Sequence, residues 1–309
     1  MLESPKMPTY TVFTPAFNRA HTLHRVYESL RAQTCRDFEW IVIDDGSVDG
    51  TRELVSEWMA GADFPIRYEY QTNSGKHVAI NRGVTMARGD LFLIIDSDDG
   101  FLPESLQIML DTWKAIPVEQ RNRFSGVVTR CQSESGSPYS PPFRSDPLDT
   151  NALDLRFKDR INGELWGFHR TAVMKEFPFP EDPTVKMIPE NIVWDAIARR
   201  YQVRCINAML RVFYQDSGNQ LTKGNPAKKA THRHYFLAFV NRDFDYFKFN
   251  PMEFAKWAAL YGRYSLHAGD VAWLWPSRFS GFGPFMLCLT MAPVSILVYL
   301  KDRFSGRTS

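Results

Sequence analysis

Three carboxylates, Asp96, Asp98 and Asp99, follow directly on the apolar run Leu91-Phe92-Leu93-Ile94-Ile95. A continuous apolar stretch of that length reads as a strand buried in a parallel sheet. Like charges this close repel one another unless a cation offsets them. Ligands of open α/β sheets bind beyond the carboxyl ends of the strands. The segment therefore predicts a divalent metal bearing a phosphate-containing ligand. The competing reading is an ordinary strand-to-helix turn, since Pro103-Glu104-Ser105 has the pattern of a helix start.

Three other polar segments fall at strand ends. Ile41-Val42-Ile43 stops at Asp44-Asp45-Gly46-Ser47-Val48-Asp49-Gly50-Thr51, whose acids can accept hydrogen bonds from sugar hydroxyls or a base edge. Asp49 or Thr51 would otherwise serve as a helix cap. In Pro15-Ala16-Phe17-Asn18-Arg19, Arg19 suits a phosphate and Phe17 a stacked base. In Asn73-Ser74-Gly75-Lys76-His77, Lys76 supplies a point charge for a diphosphate. Taken singly, Lys76 would be a solvated surface lysine.

The elements that must hold these loops alternate in type. Strands are predicted at Tyr10–Thr14, Phe38–Ile43, Ile66–Tyr70 and Leu91–Ile95. Helices are predicted around Leu23–Leu30, at Thr51–Met59 and at His77–Ala87. This β-α-β-α order predicts a mostly parallel sheet covered by helices on both faces. A strand at Gly126–Cys131, a surface loop at Ser133–Ser145 and two strands at Val203–Ile206 and Leu210–Tyr214 follow. Pro189-Glu190 opens a helix with Trp194, Ile197, Ala198 and Tyr201 on one face.

Apolar residues make up 44% of the 309 and charged residues 23%, which suits a large folded core and disfavours disorder. Cys35, Cys131, Cys205 and Cys288 are scattered, which disfavours a zinc ribbon or a disulfide scaffold. Met1–Thr9 lacks the pattern of a cleavable signal, so a cytoplasmic setting is expected. Residues 1–100 hold 10 Lys/Arg against 15 Asp/Glu, and residues 200–309 hold 15 against 6. The basic C-terminal third suits an anionic partner, nucleic acid or a membrane face. Residues 279–300 carry no charge and follow Trp273 and Trp275, despite Pro284 and Pro293. Peripheral contact with an anionic membrane, at the inner face of the cell membrane, is therefore favoured over nucleic acid. A buried helical hairpin is the alternative. The Lys228-Lys229 and His232-Arg233-His234 cluster could meet lipid phosphates, and Gln215–Asn225 could act as a lid.

The segments Thr14–Arg19, Asp44–Thr51, Asn73–Gly83 and Asp96–Asp99 together resemble the family-2 inverting glycosyltransferases of GT-A fold, over about residues 8–215. The resemblance implies a GT-A catalytic domain at 1–225, with a donor-binding half at 8–116 and an acceptor half at 117–225. A helical extension follows at 226–309. It implies a nucleotide-sugar donor, UDP- or GDP-linked, and a lipid-linked or polysaccharide acceptor. Pro15, Phe17, Asn18 and Asp45 would line the nucleotide pocket, with Arg19, Ser47, Lys76 and Ser97 completing the donor-binding set. Asp96 would reach the ribose side, and Asp98 together with Asp96 would hold Mn²⁺ or Mg²⁺. Asp99 would support that shell or the sugar.

An inverting transfer needs a base for the acceptor hydroxyl. The family places an acid at a helix start in the second half, often as Glu-Asp. Here the matching residues are Glu190 and Asn191. Glu190 is the expected base and Asp195 the second candidate; Trp166 and Trp194 could form a desolvating wall, and Trp166 a platform for a sugar ring, but both tryptophans suit the core better. His77 and His169 are lesser candidates for contact with the diphosphate or acceptor. Asn191 leaves open an inactive binding or scaffold protein of the same fold. A sugar nucleotidyltransferase is a further alternative, but it would want a Gly-rich loop where residues 15–19 have none. No Gly-x-Gly-x-x-Gly follows a strand, which disfavours a dehydrogenase.

Overall fold

Strands β1 (Tyr10–Ala16) and β2 (Phe38–Asp44) are buried along their whole length, as their apolar runs require. The structure is a computed structural model that describes residues 7–182, 185, 188–214 and 230–304. After β1 come α1 (His24–Arg31), β2, α2 (Thr51–Gly61), β3 (Ile66–Tyr70), α3 (Lys76–Met86) and β4 (Leu91–Ile94). The chain continues through β5 (Gly100–Phe101), α4 (Ser105–Lys114), β6 (Phe124–Ser133), β7 (Leu148–Thr150) and α5 (Ala152–Phe157). Then come β8 (Leu165–Arg170), α6 (Thr171–Glu176), α7 (Asn191–Ala198) and β9 (Gln202–Phe213).

The sheet runs in the order β3-β2-β1-β4-β8-β6-β9-β5, with β7 beside β9. Strands β3, β2, β1 and β4 are mutually parallel, as the alternating pattern predicts. Beyond β4 the sheet is mixed, because β8 enters antiparallel between β4 and β6 while β6 and β9 are parallel. Strand β8 escapes sequence reading, since Gly167, His169 and Arg170 interrupt its apolar pattern. Gly167 is what lets β8 approach β6, because a Cβ there would overlap the Val127 carbonyl. The two strands expected over 203–214 are one continuous strand, β9, whose pairing with β6 absorbs register shifts in mid-course.

The core packs Tyr10, Val12, Trp40 and Val42 of the sheet against Leu23, Val26 and Leu30 of the first helical segment. Trp40 satisfies its buried indole N–H on Thr14 Oγ1 at 3.0 Å. Tyr27 stacks on Trp58 with ring centroids 4.4 Å apart, which draws α1 and α2 together. Trp166 belongs to this core as well. Its indole N–H donates to the Ile94 carbonyl at 2.7 Å and its ring packs on Phe101, so it is no sugar platform. The buried face of α7 is Val193, Asp195 and Ile197, with Trp194 half-buried, which corrects the expected stripe.

The chain divides into two compact units, Met1–Gly218 and Asn219–Ser309. The expected domain boundary at 225, the Gln215–Asn225 segment and Lys228-Lys229 lie outside the described residues. The second unit contains α8 (Arg233–Arg242), α9 (Pro251–His267) and α10 (Phe282–Phe304). Phe239, Phe254 and Trp257 form its aromatic centre. Residues 268–281 double back, with the Trp273 carbonyl accepting from Tyr261 Oη at 2.7 Å, so α10 runs parallel to α9. Asp302 is buried near the end of α10, where Arg263 reaches it at 2.6 Å and His267 at 3.0 Å.

Candidate active site

The ends of β1, β2 and β4 lie side by side because those strands are parallel and in register. Their polar loops therefore share one rim. Asp45, just past β2, is buried and holds the loop after β3. Its Oδ1 accepts from Gln71 Nε2 at 2.8 Å and Ser74 N at 2.7 Å, and its Oδ2 from Gly75 N at 2.8 Å. Gly75 has φ of 101°, a conformation that glycine adopts without strain, and α3 starts at the next residue. Asp44 accepts from Ser47 N at 2.7 Å and Tyr68 Oη at 2.6 Å.

Asn18 and Ser47 knit the first loop to the second. Asn18 N donates to Ser47 Oγ at 2.8 Å, and Asn18 Oδ1 accepts from Val48 N at 2.9 Å. Pro15 lies within β1, opposite Ile43. Phe17 stands 46% exposed at the rim, free to meet a planar ligand. Arg19 Nε donates to Ser97 Oγ at 3.2 Å, which ties the first loop to the acid loop.

The acid loop is neutralised by the protein itself. Arg211, near the end of β9 and 7% exposed, donates from Nε to Asp99 at 2.8 Å and from its terminal nitrogen to Asp96 at 2.8 Å. The same terminal nitrogen also meets Asp99. Tyr214 N caps the other Asp99 oxygen at 3.2 Å. Lys76 reaches Asp96 at 2.5 Å, and Arg25 donates to the Asp98 carbonyl at 3.0 Å. Contrary to expectation, the three acids do not by themselves demand a metal, because side-chain cations supply the compensation. Arg211 eludes sequence reading because it lies more than a hundred residues away. A lone arginine between Leu210 and Val212 in an apolar strand is the signal that marks it.

The charge states follow from this packing. Burial opposes ionisation of Asp96, but Lys76 and Arg211 outweigh it and hold the carboxyl well below its usual range. For Asp99 burial prevails over Arg211 and pushes the carboxyl up to about 6. Burial works against the charges on Lys76 and Arg211, yet the flanking carboxylates hold both well above their ordinary values.

Glu190 arrives at the same place. It precedes the first turn of α7, and its Oε1 lies 2.7 Å from Lys76 Nζ. Its Oε2 accepts from Trp194 Nε1 at 3.3 Å. Trp194 in turn stacks on His169, whose imidazole burial pushes down to about 4. Asp195 points elsewhere, fully buried and paired with Arg156 at 2.8 Å. His77 is buried in α3.

Among the described residues, no group of three or more His, Cys, Asp or Glu side chains is placed to hold a metal ion. Asp96 is committed to Lys76 and Arg211, which argues against its expected part as a ligand. Asp98 differs, since among the described residues the cation that faces its carboxylate is Arg19, at 3.9 Å. A single carboxylate suits an ion that takes its remaining ligands from phosphate oxygens and water, as Mg²⁺ commonly does.

The family model described as glycosyl transferase family 2 matches residues 11–169. An uncharacterised glycosyltransferase of Nostoc is 32% identical over 179 residues, 56% of this chain and 54% of that protein. The GalNAc(5)-diNAcBac-PP-undecaprenol beta-1,3-glucosyltransferase of Campylobacter jejuni is 25% identical over 57% of this chain and 56% of its own. The chain thus spans about half the length of these curated relatives. Among solved structures, S. aureus TarS 1-349 in complex with UDP-GlcNAc superposes with a TM-score of 0.59 at 16% identity, covering 93% of this chain and 80% of that one. The mannosyltransferase PcManGT of Pyrobaculum calidifontis, in complex with GDP-Man and Mn²⁺, gives 0.51 at 18% identity over 98% and 84%. The likeness to both solved structures is one of fold. With more than half its length matched by the family model and its fold repeated in solved transferases, the chain belongs to glycosyl transferase family 2.

Proposed function

We propose that the protein is an inverting glycosyltransferase that moves a sugar from a UDP- or GDP-linked donor to a hydroxyl of a lipid-linked or polysaccharide acceptor. The observation that carries this reading is the bridge from Asp96 through Lys76 to Glu190, at 2.5 and 2.7 Å. It sets a carboxylate from the second half of the unit beside the loops suited to a nucleotide. Phe17 and Asp45 border the nucleotide, while Lys76 and Arg19 face the diphosphate. Glu190 accepts the acceptor proton as the hydroxyl oxygen bonds to the anomeric carbon. The bond from that carbon to the diphosphate breaks, and the departing oxygen's charge is met by Lys76 and Arg19. Asp98 would hold Mn²⁺ or Mg²⁺, which when bound supplies Lewis-acid stabilisation of the leaving group.

The names of similar proteins agree in part, with UDP-GlcNAc bound to TarS, GDP-Man and Mn²⁺ to PcManGT, and an undecaprenol-linked acceptor in the Campylobacter enzyme's name. The test is a panel of UDP- and GDP-sugars with Mn²⁺, Mg²⁺ or chelator. It is read by thermal shift and by nucleoside diphosphate release. A donor that raises the melting temperature, and release lost in Glu190→Gln, are expected. No stabilisation by any donor and no release would overturn the reading.

The acceptor reading includes peripheral attachment at the inner face of the cell membrane. Among the described residues, α10 alone is long and apolar enough to cross a membrane. Its Pro284, Cys288, Ala292 and Ser295 are buried, while Phe282, Leu289, Ile296, Leu297, Leu300 and Phe304 stand exposed along the other side. One packed face and one bare apolar face suit a helix lying on lipid. Leu297→Glu should abolish flotation with anionic vesicles while leaving nucleotide binding intact. Undiminished flotation would refute attachment through this face.

A further inference from the structure

Glu190 is engaged before any substrate arrives. Lys76 Nζ lies 2.7 Å from its Oε1, and the hydrogen bond from Trp194 Nε1 to Oε2 is long, at 3.3 Å. Asp96 and the backbone of Lys76 are held more firmly. Asp96 keeps Arg211 at 2.8 Å whatever Lys76 does. The backbone of Lys76 is fixed because the preceding Gly75 N–H donates to Asp45 at 2.8 Å. The flexible lysine stem is therefore the part that can move, and Glu190 is the partner that loses most when it does. An ammonium has three hydrogens to give. Asp96 and Glu190 take two of them at short range.

We propose that Lys76 is a positioning residue that withholds Glu190 from the acceptor until a nucleoside diphosphate draws the ammonium away, so that donor binding must precede activation of the acceptor hydroxyl. The inference rests on the transferase reading above and adds an order of events to it. A general base must offer a lone pair within hydrogen-bond reach of the hydroxyl. With Oε1 facing Lys76 and Oε2 facing Trp194, each oxygen of Glu190 already has one lone pair taken, and Oε1 is tied to a cation. A diphosphate carries more charge than one carboxylate and competes for the same ammonium at its own loop. Once Lys76 turns to it, Glu190 is released beside the sugar to be transferred. An acceptor that arrives alone meets a carboxylate already paired with a cation.

Competition for one lysine is reciprocal. If diphosphate must take Lys76 from Glu190, then removing the carboxylate charge must tighten diphosphate binding, although it removes the base. Isothermal titration of UDP and of GDP, with Mn²⁺ present, tests this on the full chain without knowledge of the acceptor. Glu190→Gln should bind the preferred diphosphate about three- to tenfold more tightly than wild type. Lys76→Met should bind about tenfold more weakly, and the double variant should match Lys76→Met alone. A general field effect of Glu190 would instead give the same gain with or without Lys76, and that outcome overturns the inference. Unchanged or weaker binding in Glu190→Gln overturns it too, and leaves the transferase reading standing. If Lys76→Met does not fold, Lys76→Gln, which keeps a polar group beside Asp96, takes its place in the comparison with the same expected outcomes. Wild-type protein that binds neither UDP nor GDP would bring down the transferase reading, and the inference with it.

Discussion

Replacing Arg211 with methionine removes the guanidinium that holds the acid loop. The change leaves Asp99, 1% exposed, without its paired donor, and Asp96 with Lys76 alone. Breaking a buried ion pair by deleting one partner costs about 3–5 kcal/mol. The pH dependence is the sharper signature. Asp99 is pushed up to about 6 in the folded protein, above the ordinary carboxyl value. Between about pH 4 and 6 the folded state therefore binds more protons than the unfolded chain, and stability falls as pH rises through that window. Without Arg211 the folded value climbs further, so the fall continues past pH 6. Variant and wild type should then differ least at pH 5, where Asp99 is protonated in both, and most at pH 8. Every tenfold weakening of Asp99 as an acid adds about 1.4 kcal/mol to the gap. Urea unfolding followed by tryptophan fluorescence at pH 5, 6.5 and 8 measures it. A gap that widens by about 2 kcal/mol from pH 5 to 8, and no longer widens in an Asp99→Asn background, is expected. A gap that is the same at all three pH values, or whose widening survives in that background, refutes the reasoning.

Three further outcomes follow from the same geometry. Asp98→Asn should keep the fold but lose at least about tenfold in Mn²⁺-dependent nucleotide affinity, read by calorimetry with and without chelator. His169, pushed down to about 4, is neutral when folded and takes up a proton on unfolding below pH 6.5. It thus makes stability fall as pH drops from 6.5 towards 4, by about 2 kcal/mol at pH 5. His169→Phe, which keeps a ring against Trp194, should abolish that acid-side loss in denaturation curves. Gly167→Ala should cost about 2–3 kcal/mol, measured by urea midpoint, because the added carbon overlaps the β6 backbone.

The parallel half of the sheet is legible because Tyr10–Thr14, Phe38–Ile43 and Leu91–Ile95 are unbroken apolar runs closed by polar loops. Such runs report burial on both faces directly. The same property sets the loops at one rim, so Asp45, Lys76 and Asp96 emerge as a group. Pairing at long range stays hidden. Nothing near Asp96 announces Arg211, and the run Leu165–Arg170 mixes glycine and basic residues with its aromatics, so it carries no strand signal. Asn18 and Ser47 illustrate another blind spot. Their types suit a ligand, but their polar atoms bind each other's loops. Glu190 is reached through its resemblance to a helix-start acid, while its lysine partner requires coordinates.

The distance in sequence between Arg211 and the acids it serves bears on how the chain can be cut. The family model ends at residue 169, which invites trimming there for expression. A fragment ending at 169 would carry Asp96 and Asp99 without their guanidinium and would leave β6 with an unpaired edge where β9 belongs. The shortest autonomous version of this fold must therefore run past Tyr214, whose backbone closes the last oxygen of Asp99.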